Sequence, residues 1–124
     1  MLSRRAARRT ALFLLYQWDL TGQPLGTNYE GEIDEFARGL AEAVEVRADQ
    51  LDERISSVSG DWPAKQLGTL ERNILRIGVY ELEEGTVPLE VAIDEAVTLA
   101  KRYATEDAAR LVNGILGRIR RELA

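Results

Sequence analysis

Residues 3–20 read SRRAARRTALFLLYQWDL, and the fold class turns on how this stretch is read. Ala7, Ala11, Leu14 and Trp18 recur at helical spacing with Leu15 beside them, and Ser3 is placed to cap the first turn, so the stretch predicts a helix to about Leu20. Thr21-Gly22-Gln23-Pro24 ends it. From Ala11 onward Leu12, Phe13 and Tyr16 occupy the other faces. The helix is then apolar almost all round, and its C-terminal half is the expected hub of the core.

The helical period continues along the chain. A second helix over roughly 33–46 puts Ile33, Phe36, Leu40 and Val44 in register, and after Arg47-Ala48-Asp49 a third carries Leu51, Ile55 and Val58. Ser59-Gly60-Asp61-Trp62-Pro63 is the clearest break and divides the sequence into near halves. A fourth helix, Thr69 to Glu84, aligns Leu70, Ile74, Ile77 and Gly78 before Gly85 closes it. Pro88 then opens a fifth at the favoured first position, with Leu89, Ala92, Ala96, Leu99, Ala100 and Tyr103. The last begins near Thr105 and sets Ala108, Val112, Ile115, Ile119 and Leu123 on one side. No period-2 strand appears. The expectation is an all-α fold of six to seven helices in two small bundles, one domain over residues 1–124 with an N-terminal half of about 1–60 and a C-terminal half of about 61–124.

Composition removes much chemistry. The 124 residues include no cysteine and no histidine, which excludes a disulfide framework, a Cys/His zinc site, a cysteine nucleophile and a Ser-His-Asp triad. Phosphate-binding glycine loops, metalloprotease motifs and calcium loops are absent from the sequence, and pairs such as Glu83/Glu84 and Asp94/Glu95 are adjacent and so face different ways on a helix. No catalytic residue, metal or cofactor is expected. The longest apolar run, Ala11 to Tyr16, is far short of the roughly 20 residues that span a bilayer. Gln17, Trp18 and Asp19 interrupt it with no small-residue cleavage site after them, so the expected location is the cytoplasm.

The net charge of −5 conceals blocks of opposite sign. Residues 1–18 hold Arg4, Arg5, Arg8 and Arg9 and no acid, while residues 19–61 hold eleven acids and three arginines. The C-terminal block, 96–124, is basic again, with six bases and three acids. Such a chain can offer a basic patch to phosphates and an acidic surface to a basic partner.

Three features depart from a simple helical pattern. Four arginines crowd a helix N-terminus, where acids are favoured, and they spread over about 140° of the circumference as a solvent-facing comb suited to phosphate oxygens. Glu81 falls on the stripe of Leu70, Ile74, Ile77 and Gly78; near the helix end it is expected to snorkel into water, unless a partner claims its carboxylate. Asn113-Gly114, with Gly117 one turn on, lies inside a helical pattern, and close helix approach is the expected reason.

Four blocks in order carry a resemblance. They are Ser3-Arg4-Arg5-Ala6-Ala7-Arg8 with Ala11 through Trp18, Leu70 through Leu82, Val87-Pro88 followed by Val91 through Lys101, and Val112-Asn113-Gly114-Ile115-Leu116. Together, from about residue 3 to 119, the chain resembles the NusB family of bacterial transcription antitermination factors. The resemblance implies an all-helical, non-enzymatic adaptor that binds boxA RNA of ribosomal RNA operon transcripts. It would act with the ribosomal protein NusE in an RNA polymerase antitermination complex. It also implies RNA contacts at Arg4, Arg5 and Arg8, to which proximity adds Arg9, and NusE contacts at Tyr16 and Glu81. Homodimers that cover the RNA face occur among the relatives it implies. Two other readings remain open: a helical protein-interaction module with little RNA affinity of its own, and the RNA-binding domain of ribosomal RNA cytosine methyltransferases. Such a domain normally precedes a catalytic one, and none is expected here.

Overall fold

The computed structural model describes residues 3–60 and 67–123, and among them are six helices and no strand. They are α1 Arg4–Thr21, α2 Glu35–Val46, α3 Ala48–Val58, α4 Thr69–Glu84, α5 Leu89–Tyr103 and α6 Glu106–Leu123. Side-chain caps fix three of the starts. Ser3 Oγ accepts from the Ala6 N–H at 3.1 Å, Asp34 from that of Ala37 at 3.0 Å and Thr105 from that of Ala108 at 2.9 Å, each satisfying a donor the helix cannot. Asp34 therefore starts α2 one residue after Ile33, which packs against the core from outside the helix. Pro88 stands one place earlier than expected: with ψ at 143° it is the N-cap of α5, and its carbonyl accepts from Val91 and Ala92. At the other ends, Gly22 and Gly85 take left-handed φ values of 74° and 70° and close α1 and α4, a conformation that penalises a Cβ. Of the break at 59–63, Gly60 turns with a φ of 70°, while Asp61, Trp62 and Pro63 lie outside the described residues.

All six helices contribute to a continuous cluster of buried apolar side chains. Its hub is α4 rather than the C-terminal half of α1, because α4 packs against each of the five other helices. Residues 73–79 of α4 are buried without interruption. By contrast α1 leaves Phe13 and Leu20 exposed, at 40% and 58%, so its apolar circumference is only partly used in the core. On α2 the buried face is Ala37, Leu40, Ala41 and Val44, and Phe36 is turned outward.

The close helix approach occurs at Gly78, not at Asn113-Gly114. A Cβ on Gly78 would sit 2.7 Å from Leu116 Cδ1, and Leu116 has no exposed surface, so α4 and α6 are in van der Waals contact at that point. A Cβ on Gly114 would meet nothing within 4 Å, and Asn113 and Gly114 are exposed. The turn-forming pair is tolerated on the outer face of α6 and has no packing role.

A polar cluster ties three helices together. Asp19 Oδ2 at the end of α1 accepts from Arg72 Nε at 2.8 Å, Asn73 Nδ2 at 3.0 Å and Arg76 Nη1 at 3.0 Å. Arg76 also forks onto Asp52 of α3 through two bonds of 2.7 Å. Burial works against the Arg76 charge, but Asp52 and Asp19 more than offset it and hold the guanidinium above its ordinary pKa. The bidentate geometry and full hydrogen bonding are what make such a buried charge tolerable.

Candidate nucleic-acid interface

The arginine-rich turn of α1 is built by Ser3, whose cap starts the helix one residue before Arg4 and so fixes where each guanidinium points. Arg4 is exposed and stacks over the Phe36 ring of α2, with 3.8 Å between the guanidinium carbon and the ring centroid. Arg5 keeps 70% of its side chain exposed while pairing with Glu95 of α5 at 3.0 Å, and that partner raises its pKa. Arg9 is half-buried and forms no ion pair or side-chain hydrogen bond among the described residues.

Arg8 differs from the other three. At 4% exposure it is a core residue, and its guanidinium forks onto Glu81 of α4 through bonds of 2.9, 3.0 and 2.9 Å. The expected four-toothed comb therefore has three teeth, because position 8 shares the inward face with Ala7 and Ala11. Glu81 does not snorkel either, since Arg8 holds it inside at 4% exposure. The two departures from the helical pattern explain each other: the buried acid on the α4 stripe is the counter-charge for the buried base on α1. Neither helix alone shows this. The available signal was the presence of one unmatched charge on each of two apolar stripes.

Tyr16 and Glu81 are not neighbours. Tyr16 is half-buried in an open cleft of about 560 Å³ that it shares with Phe13, Gln17, Leu70, Glu71 and Tyr103. Phe13 and Tyr103 meet edge to face there, 5.1 Å apart, which gives the cleft an aromatic wall. Its carboxylate is that of Glu71, in the first turn of α4, ten residues before Glu81. Sequence reasoning missed Glu71. It is an ordinary acid at a helix start, and only the packing of α1 on α4 brings it beside Tyr16.

A second cleft, about 550 Å³, opens beside Arg4 between α2 and the α4–α5 connection. A third, polar one follows α5 and α6 past Asp94, Asn113 and Arg120. Among the described residues no group of His, Cys, Asp or Glu is arranged to hold a metal ion, and no helix is long and apolar enough to cross a membrane.

Comparison with known proteins places these features in a family. The family model described as NusB family matches residues 5–121. The chain is 41% identical over 122 residues to the transcription antitermination protein NusB of Rubrobacter xylanophilus, covering 93% of this chain and 88% of that one. Among solved structures it resembles T. maritima NusB, with 34% identity, a TM-score of 0.84 and coverage of 98% of this chain and 92% of that one. It also resembles a chain of the crystal structure of antitermination factors NusB and NusE in complex with dsRNA. There the identity is 32%, the TM-score 0.82 and the coverage 96% of each chain.

Proposed function

The chain belongs to the NusB family, and from that premise we propose that it is a cytoplasmic, non-enzymatic adaptor in transcription antitermination. It binds boxA RNA of ribosomal RNA operon transcripts together with NusE and joins them to the antitermination complex on RNA polymerase. The solved relative that contains NusB, NusE and dsRNA supports both partners. The basic tip carries the RNA reading. Three arginines held at a helix N-terminus, against the helix dipole, cost stability locally and leave Arg4, Arg5 and Arg9 available to phosphates. Arg8 serves this site from inside, as the anchor of the turn.

The NusE surface in this reading is the cleft of Tyr16 with Glu71 in place of Glu81, because Glu71 and Tyr16 line one open surface whereas Glu81 pairs with Arg8 and lines a different cleft, beside Arg4. The acidic blocks of the chain suit a basic ribosomal partner.

Titration of boxA RNA at several salt concentrations, with and without NusE, tests the assignment. Arg5→Glu and Arg9→Glu should each weaken binding and flatten the plot of log affinity against log salt by about 0.7 per lost phosphate contact on a single strand. An unchanged slope would remove the arginine tip from the interface. Tyr16→Ala with Glu71→Lys should weaken NusE binding and leave direct RNA contacts alone; equal NusE affinity in that variant would move the partner surface elsewhere.

A further inference from the structure

The cleft beside Arg4 has the make-up of a nucleobase site, and it lies off the phosphate-facing side of the tip. Phe36 of α2 and Tyr80 of α4 supply aromatic surface, Val87 of the α4–α5 connection adds an apolar flank, and Glu81 is the least exposed residue of the lining, at 4%. Arg4 closes the end nearest the tip, already stacked on Phe36 at 3.8 Å. At about 550 Å³ the cleft is within the roughly 300–1,000 Å³ of small-ligand clefts.

Two observations point to an occupant. The first is Gly39. It sits in the middle of α2 on the cleft, in helical conformation, and a Cβ there would meet nothing within 4 Å. A glycine in a helix interior costs about 1 kcal/mol relative to alanine, and here neither packing nor a positive φ repays it. What it does is keep the cleft wall low. The second is Glu81. Its Oε2 accepts two bonds from Arg8 but its Oε1 only one, so Oε1 retains acceptor capacity in a residue that lines the cleft. An acceptor and a cation on the lining of one aromatic slot complement a base that carries an exocyclic amino group and its adjoining phosphate.

We infer that this cleft holds one unstacked, amino-bearing base of the bound RNA, packed against Phe36 and Tyr80 with its amino group on Glu81 and its phosphate at Arg4. The inference rests on the RNA reading of the tip and adds to it a place where sequence can be read, which phosphate contacts alone do not provide. Arg4 thereby belongs to both surfaces, and Arg5 and Arg9 to the phosphate surface alone.

The test uses a fluorescein-labelled boxA RNA, a series of the same strand with one abasic position each, and the full chain with NusE present throughout. Gly39→Leu fills the cleft with a good helix former where the structure leaves open space, and Phe36→Ala removes the stacking wall at a residue already 38% exposed. Circular dichroism establishes that each is folded; if Gly39→Leu is not, Phe36→Ala carries the test. Each should lose about tenfold in RNA affinity, the scale of one base stacked on an aromatic ring. One abasic position should weaken the parent protein by a similar factor and have no added effect in the variants. If both variants bind every strand as the parent does while Arg5→Glu still flattens the salt slope, the subsite is wrong and the RNA reading stands. If Arg5→Glu, Arg9→Glu and both cleft variants all match the parent, the two fall together. If Gly39→Leu weakens NusE binding in the absence of RNA, a protein side chain fills the cleft and the base assignment is overturned.

Discussion

Arg8 and Glu81 show how one residue's meaning depends on a partner 73 positions away. Each alone would be an uncompensated charge in the core, and the fork between them lets the start of α1 dock on the last turn of α4. Arg8→Met should therefore destabilise the protein by about 3–5 kcal/mol by leaving the Glu81 carboxylate buried and unpaired. The double variant Arg8→Met/Glu81→Leu should recover most of that loss, since an apolar pair of similar volume removes both desolvation penalties. Urea unfolding of the three proteins measures it; a single variant as stable as the parent would mean that the pair does not anchor the turn. The sequence shows both charges as out of place, but the expectation that Arg8 faces solvent in a comb and that Glu81 snorkels into water fails, because the two meet inside. Helical periodicity gives the face on which a residue lies, but it carries no information about which other face it will meet.

At the scale of elements, much was legible. The boundaries of α1, α4 and α5 follow the sequence signals to within about a residue, because Ser3, Gly22, Gly85 and Pro88 act through local backbone rules that need no tertiary contact. The glycines of α4 and α6 were less so. Gly78 looked like one member of a stripe and is the point of closest approach, while Asn113-Gly114 looked like a packing site and is a bare surface. The two make opposite predictions. Gly78→Ala should lose about 1–2 kcal/mol, overpacking against Leu116 outweighing the gain in helix propensity. Gly114→Ala should gain about 0.5–1 kcal/mol from propensity alone. Thermal unfolding under identical conditions compares them, and a shift of the same sign in both would contradict the packing described.

On the whole-molecule scale, α4 is the element through which the others are connected. It touches the five other helices, and its Arg72, Asn73 and Arg76 join α1 and α3 through Asp19 and Asp52. Local opening that frees α4 must break every one of those interfaces. Its central amides, residues 74–79, should then exchange with solvent only through global unfolding, and more slowly than those of α2, whose outer face is solvated. Native-state hydrogen exchange reads this directly; protection of α2 exceeding that of α4 would contradict it. The hub was misread from the sequence because α1 has the more continuous apolar run, whereas α4 mixes Asn73, Arg76 and Glu81 into its buried face. Those polar residues are buried because partners satisfy them, and pairing of that kind is invisible to a hydrophobicity pattern.

One consequence follows from the length of α1. Arg4 and Arg5 sit in its first turn and Tyr16 near its end, eleven to twelve residues away, which at the α-helical rise is about 17 Å along a rigid rod. On the function proposed above the helix is a ruler, with the nucleic acid at one mark and the protein partner at another. It also sets a phase, because inserting one residue between Arg9 and Tyr16 would turn the two marks by about 100° relative to each other. On that reading NusE and the transcript are held at a separation and an angle that belong to this protein, whatever the flexibility of either partner.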